Sequence, residues 1–505
     1  MSNRTQAIWK EDVKIDTFPE LTEDIETDIA VIGAGITGIT TAYLLVKQGY
    51  RVALLEGKKV IEGTTGYTTA KITSQHGLIY AQLIETVGEK KAKEYYQANQ
   101  EGLALIEQII QDENISCAFK KQAAYVFSDT KKGTQKIEEE AKAYEKLAIN
   151  GGLTKDIDLP FSVNTAIKME GQAQFNPVKY LTSLLSYLKS KGTPIFENSR
   201  AVDIKKGDVS KVITEKGHTL SANYVVLATH FPFKDFEGLY FSKLHAERSY
   251  VVAVEAPGTI SDGMYINAED PKRSIRHYTL ENGESFLLIG GEGHESGKKE
   301  KTDEAYQKLE EYAKTHFNST NVKFKWSSQD LITLDSIPYI GPITKKNKEI
   351  FVATGYRKWG MTNGTIAAKL ITDQIIGNEN SFEELYSPSR EIGKTQLKSF
   401  AKENSEVAKE FVKGKLEQPK KEIDSLVANE GAVVRMEGKR AGVYKDDKEV
   451  VHVVDTTCTH MGCELNWNNA EHTWDCPCHG SRFDYDGEVI EGPATKALSK
   501  INPDS

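Results

Sequence analysis

The chain has 505 residues, 39% of them hydrophobic and 27% charged, with a formal net charge of −9. That length exceeds what one hydrophobic core ordinarily serves and predicts two or three domains, while the acidic balance argues against a nucleic-acid partner, which requires a dense basic surface. No apolar run approaches the ~20 residues of a spanning helix, and residues 1–18 lack the apolar stretch of an export signal, so a cytoplasmic protein with no integral membrane segment is expected.

In chain order, the first informative segment is an apolar β run at residues 28–31 that passes into Gly33-Ala34-Gly35-Ile36-Thr37-Gly38. A helical stretch at 39–47 follows, then a second strand, Val52–Leu55, closed by Glu56. This is the pattern of a dinucleotide-binding βαβ unit. Glycines allow a tight turn and close approach of a pyrophosphate, the helix N-terminus receives its charge, and the carboxylate accepts from ribose hydroxyls.

Three later runs share the same small-residue character. Residues 63–71 hold Thr64, Thr65 and Thr69; an apolar strand at 224–227 ends in Ala228-Thr229; and a strand at 351–354 enters Gly355, ahead of Trp359-Gly360-Met361-Thr362 and a helix to residue 376. Singly, each reads equally well as a surface turn. In this order, and with the loop at 335–341, they resemble the D-amino-acid-oxidase-like family of glycine and sarcosine oxidases. The resemblance covers roughly residues 25–390. It implies an α/β FAD-binding (Rossmann-like) domain with an interleaved antiparallel-sheet substrate domain, and FAD rather than NAD as the nucleotide. Its cofactor-binding residues would be Gly33, Gly35, Gly38, Glu56, Thr64, Thr65, Thr69, Ala228, Thr229, Gly355, Gly360, Met361 and Thr362. It also implies a small amine or amino-acid-like substrate whose carboxylate an arginine clamps bidentately, a geometry suited to guanidinium. Arg276 is the first choice for that clamp, with Arg357 and Arg248 as the other candidates.

Gly291-Glu292-Gly293-His294-Glu295-Ser296-Gly297 follows a strand, but its spacing is wrong for a nucleotide turn and no second βαβ pattern follows. An NAD(P)H-linked reductase, which needs such a fold, is therefore the weaker reading. The charged, weakly apolar segment from 394 to 420 reads as a helix and linker. The expected division is 1–393 for the oxidoreductase unit, 394–420 for the linker and 421–505 for the C-terminal domain.

That last segment carries four of the five cysteines. Cys458 and His460 form a C-x-H pair, and Cys476 and His479 a C-x-x-H pair. One cysteine and one histidine per loop suits a Rieske centre, where two imidazoles replace two thiolates on one iron; a tetrahedral zinc site draws on the same residue types. Residues 421–505 resemble the Rieske ferredoxin family, which implies a small all-β domain holding a [2Fe–2S] cluster on Cys458, His460, Cys476 and His479. The family's second cysteine in each loop falls at Cys463 and Cys478, implying a disulfide over the cluster; two free buried thiols are the alternative in a reducing compartment. Ser481 matches a serine that donates to a bridging sulfide. Phe483 departs from the pattern, since high-potential members carry a tyrosine there whose hydroxyl bonds a ligand sulfur. Losing that bond is expected to lower the potential.

A two-electron flavin and a one-electron cluster on one chain suggest that substrate electrons reach the flavin and leave through the cluster to an unidentified acceptor. A redox sensor without a metabolic substrate is the competing reading.

Overall fold

A computed structural model of the chain describes residues 6–256, 262–391, 393–417, 419, 421–436 and 438–502. The first sheet is built on Ile25–Ile32, a strand buried over its last four residues. It pairs in parallel with Val52–Leu55 on one side and Thr219–Leu227 on the other, and Asn347–Thr354 extends the parallel set beyond Thr219–Leu227. Near-continuous apolar runs form these strands because both faces are covered, one by helices and the other by residues such as Leu21, Ile204, Leu244 and Leu331. Ile36–Lys47, Pro177–Ser190 and Gly360–Ile376 supply that cover, and their buried faces merge with the strands in one core. Asn176 starts the second of these helices by accepting from the amides of Val178 and Lys179, with Pro177 at the first helical position, a combination that satisfies otherwise orphaned donors.

A second, larger sheet runs in the order Val322–Thr333, Leu244–Glu255, Ser285–Glu295, Arg273–Thr279, Met264–Asn267, Lys120–Ser128, Thr165–Gln174, Lys71–Ile72. It is antiparallel except where Met264–Asn267 lies parallel to Lys120–Ser128. The exception has a topological cause. Between those two strands the chain leaves for the nucleotide sheet and returns, and only a long crossover can deliver a parallel neighbour.

The segment after the first unit forms the helix Lys394–Leu416. Asn404 on this helix donates to the carbonyl of Ser242 at 3.1 Å, and Lys415 pairs with the buried Glu464. The segment is thus a packed strut with contacts on both units rather than an extended tether. Beyond it lie two small antiparallel sheets, one of Glu430–Met436, Lys439–Lys445 and Val451–Val454, the other of Asn466–Asn468, Thr473–Asp475, Arg482–Asp484 and Val489–Glu491. Among the described residues no helix is long and apolar enough to cross a membrane.

Candidate active site and metal centre

The turn after Ile25–Ile32 is shaped by two glycines whose missing side chains decide the geometry. Gly33 sits at φ +103°, and a Cβ there would fall 2.4 Å from the Ala228 carbonyl oxygen; at Gly38 a Cβ would fall 1.8 Å from the Gly33 carbonyl oxygen. Neither position admits a larger residue, so the first helix starts hard against the strand ends. Glu56 closes the next strand, its carboxylate accepting from the amides of Ala34 at 2.9 Å and Lys58 at 3.0 Å. Burial raises its pKa against the pull of these bonds.

In front of this turn opens a cavity of about 1520 Å³. Of the residues singled out in the sequence, Gly33, Gly35, Glu56, Thr64, Thr65, Thr69, Ala228, Thr229, Gly360 and Met361 line it, as does Arg357. Gly38, Gly355, Thr362 and Arg276 are not among the lining residues. Gly38 and Gly355 instead permit close packing, the latter with a Cβ position 2.3 Å from the Thr333 side chain.

The two arginines separate by role. Arg276 is 1% exposed and donates from Nη1 to the carbonyls of Thr69 at 2.6 Å and Ala70 at 3.0 Å, with its guanidinium over the Trp9 ring. It braces the small-residue loop from behind. Arg357 lies on the cavity wall in a left-handed conformation, φ +49°, followed by Lys358 at φ +70°, and its Nη1 is buried without a hydrogen-bond partner. Strained backbone of this kind costs of order 1 to 3 kcal/mol and collects at functional sites. The third candidate, Arg248, also lines the cavity but is engaged on its far side: its guanidinium bonds the Ser327 hydroxyl and stands 3.7 Å from both Glu471 and Glu491 of the C-terminal domain.

Two further lining residues, Lys71 at the end of the small-residue run and His76 beyond it, were not among the expected site residues. Lys71 is buried and donates to the Tyr265 carbonyl at 3.1 Å and the Ser274 hydroxyl at 2.6 Å; burial and the neighbouring Arg276 guanidinium push its pKa well down. His76 stacks on Trp359 at 4.7 Å, with Nδ1 2.6 Å from the Tyr95 hydroxyl and Nε2 2.8 Å from the Thr73 carbonyl. A carbonyl only accepts, so Nε2 carries the proton; burial lowers the pKa of this ring to about 3.

The far wall of the cavity belongs to the C-terminal domain, including Arg482, Glu491, Gly492, Pro493 and Ala494. Docking is close. Gln329 Nε2 donates to the Gly480 carbonyl at 2.8 Å while the Gln329 carbonyl accepts from Thr64 at 3.0 Å. Asn466 donates to the Gly297 carbonyl at 2.7 Å. Gly297, the last residue of the 291–297 run, has φ +72° and a Cβ position 2.6 Å from the Pro477 nitrogen, so it admits the cluster loop, while Gly291 and Gly293 line the cavity.

Inside that domain, Cys463 and Cys478 form a disulfide. Their sulfurs lie within 4.8 Å of the Cys476 sulfur, but the bridge removes both as thiolate ligands. Cys458 and Cys476 remain as free, buried thiols within hydrogen-bonding reach of each other, and Ser481 faces Cys458. The Ser481 hydroxyl also accepts from the Ala494 amide at 3.0 Å, tying in the Gly492-Pro493-Ala494 segment. The imidazoles of His460 and His479 stand 5.1 Å apart at 90°, and His479 Nδ1 is buried without a partner. Two facing thiols, two converging imidazoles and an orphaned ring nitrogen fit a diiron centre with two sulfur and two nitrogen ligands. Phe483 is fully buried in the same apolar cluster as the four cysteines.

Fold and site together define a flavin-type oxidoreductase closed over by an iron–sulfur domain. Residues 28–374 match the family model described as FAD dependent oxidoreductase, and residues 417–502 match the Rieske [2Fe-2S] domain. The chain belongs to the FAD dependent oxidoreductase family and carries a C-terminal Rieske domain, so its cofactors are FAD and a [2Fe–2S] cluster. It is 42% identical over 499 residues to the Bacillus subtilis (strain 168) protein YhfW, whose name is that of a Rieske 2Fe-2S iron-sulfur protein, covering 99% of this chain and 98% of that one. It is 21% identical to the gamma-glutamylputrescine oxidoreductase of Escherichia coli (strain K12), over 73% of this chain and 88% of that one. Among solved structures, glycine oxidase from Geobacillus kaustophilus shares the fold with a TM-score of 0.62 at 17% identity, over 73% of this chain and all of that one.

Proposed function

We propose that the chain is a dehydrogenase for a small amine or amino-acid-like substrate, and that the substrate's electrons leave through the Rieske cluster. The observation that carries this reading is the shared cavity, walled on one side by the nucleotide turn and on the other by the loops of the cluster domain. When bound, FAD supplies two-electron acceptance at a C–N bond and the [2Fe–2S] cluster supplies single-electron transfer.

The chain's own residues divide the remaining work. Gly33 and Gly35 bring backbone to the pyrophosphate at the helix N-terminus, and Glu56 takes the ribose. Arg357, with an unpartnered Nη1 on the cavity wall, binds the substrate carboxylate; Arg276 serves the site only by holding the Thr69 and Ala70 carbonyls. Cys458, His460, Cys476 and His479 hold the two irons, and the disulfide pins their loops. The kinship with gamma-glutamylputrescine oxidoreductase and the glycine oxidase fold support an amine donor.

Anaerobic titration of small amines and amino acids, recorded at flavin and cluster wavelengths together, tests the reading. A substrate that bleaches the flavin first and then the cluster of the same molecule is expected. Reduction of both centres by NAD(P)H with no response to any amine would replace the reading with a nicotinamide-fed reductase.

A further inference from the structure

The histidine edge of the cluster domain is covered by a segment of the FAD unit. Two short turns, Asp235–Glu237 and Tyr240–Ser242, follow the strand Thr219–Leu227. From them Asp235 places Oδ2 3.0 Å from His460 Nε2, Phe236 packs 5.9 Å from the His460 ring, and Phe241 meets the His479 ring edge-on at 5.7 Å.

We propose that Asp235 is a positioning residue for the iron–sulfur centre: it fixes the His460 ring for iron and lowers the potential of the docked cluster. The proposal rests on His460 and His479 being cluster ligands, as assigned above.

A carboxylate accepts hydrogen bonds and cannot donate to an imidazole, so His460 Nε2 carries the proton. The Nδ1 lone pair is then free for iron, because the bond at one ring nitrogen sets the state of the other. His479 agrees independently, since its Nδ1 is the atom left buried and unpartnered. Both rings thus offer the same nitrogen. Phe236 lies beside the His460 ring and Phe241 beside the His479 ring, and turning the His460 ring over would break its bond to Asp235.

Asp235 is 2% exposed, and a buried carboxylate persists only where a donor meets it. Here the donor is a ligand ring, so the negative charge acts on the iron that ring binds. Reduction makes the cluster more negative, and a nearby carboxylate disfavours that state. The potential therefore falls while the contact is made. Asp235 stands 225 positions before His460 in the chain and belongs to the other unit, so this effect exists only in the docked arrangement. By linkage, whatever docking does to reduction, reduction does to docking: an electron on the cluster weakens the Asp235–His460 contact.

The test uses full-length, cluster-loaded protein as wild type, Asp235→Asn and Asp235→Glu, followed by electron paramagnetic resonance during redox titration at one pH. Asp235→Asn is expected to raise the midpoint potential and shift the spectrum, with Asp235→Glu returning both toward wild type. Cluster loss in Asp235→Asn that Asp235→Glu restores also supports the proposal. An intact Asp235→Asn cluster with the wild-type midpoint and spectrum overturns it, and so does an Asp235→Glu variant that behaves like Asp235→Asn. A wild-type spectrum without two nitrogen ligands would overturn the ligand assignment itself, a distinguishable failure.

Discussion

The side-chain amide of Gln329 donates from Nε2 to the carbonyl of Gly480 at 2.8 Å, linking a strand of the FAD unit to the loop that carries Cys476 and His479. Its Oε1 accepts from the Ser296 hydroxyl at 2.6 Å, and its own carbonyl accepts from Thr64 on the small-residue loop at 3.0 Å. One buried residue therefore touches the flavin side and the cluster side of the molecule.

Replacing Gln329 with Leu leaves the Gly480 carbonyl and the Ser296 hydroxyl without these partners, at roughly 1 to 3 kcal/mol for each buried group. Docking weakens while the flavin site keeps its residues. Stopped-flow mixing with substrate under argon is expected to show wild-type flavin bleaching, with cluster reduction slowed about tenfold or more, since each 1.4 kcal/mol is a factor of ten. Cluster reduction at the wild-type rate would exclude this contact from the route.

His76 makes stability sensitive to acid. Its ring ordinarily titrates near 6.5, and burial lowers that to about 3 in the folded chain. The folded state thus binds the proton more weakly than the unfolded one, so the contribution is complete above pH 6.5 and is lost as pH falls toward 3. The full loss is ~5 kcal/mol, and from pH 7.5 to 5 it is ~2 kcal/mol at 1.36 kcal/mol per pH unit. In urea unfolding of wild type and His76→Gln, the wild type is expected to lose more stability across that interval. Parallel pH profiles would show that His76 does not carry the effect.

What was legible in the sequence was local. Gly33, Gly38 and Glu56 announce themselves because a tight turn between two strands restricts the residue types at each position, and the Cys/His pairs because each cluster loop is short and contiguous. Asp235, Gln329 and His76 are brought to the sites by tertiary packing from segments with no motif. The one available signal was the aromatic density of Phe231, Phe233, Phe236, Tyr240 and Phe241 after a flavin-type strand. Arg276, the first choice from the sequence, lies behind the small-residue loop while Arg357 lies on the cavity wall; no local pattern shows whether a guanidinium faces the cavity or the back of the loop. Gly297 reads as part of a broken nucleotide motif in the sequence because the loop that it admits, at Pro477, lies far along the chain.

Arg357→Ala should weaken turnover of a carboxylate-bearing substrate specifically. Truncating one partner of a buried charge pair costs about 2 to 5 kcal/mol, or roughly two to three orders of magnitude in kcat/KM when most of it is expressed. The comparison that isolates the clamp uses the best amino-acid substrate and its decarboxylated analogue. Arg357→Ala is expected to penalise the first far more than the second. Equal losses on both would assign Arg357 to the loop's shape instead.

Phe483 offers the sharpest link between a single side chain and the cluster. It lies on Arg482–Asp484 opposite Trp474, fully buried and within the apolar cluster that contains Cys458 and Cys476. A phenyl ring there shields the sulfurs without donating to them. Phe483→Tyr adds one hydroxyl, which either finds a ligand sulfur or is left buried and unpaired at a cost of roughly 1 to 3 kcal/mol. The two cases have opposite signatures. A hydrogen bond to sulfur stabilises the reduced, more negative cluster, so the midpoint potential rises while the stability of the loaded protein is held or improved. An unpaired hydroxyl lowers stability and leaves the midpoint where it was. The first result is expected, measured by redox titration and thermal unfolding of the same cluster-loaded preparation; an unchanged midpoint with intact iron and sulfide content would mean that this position does not tune the cluster through its ligand sulfurs.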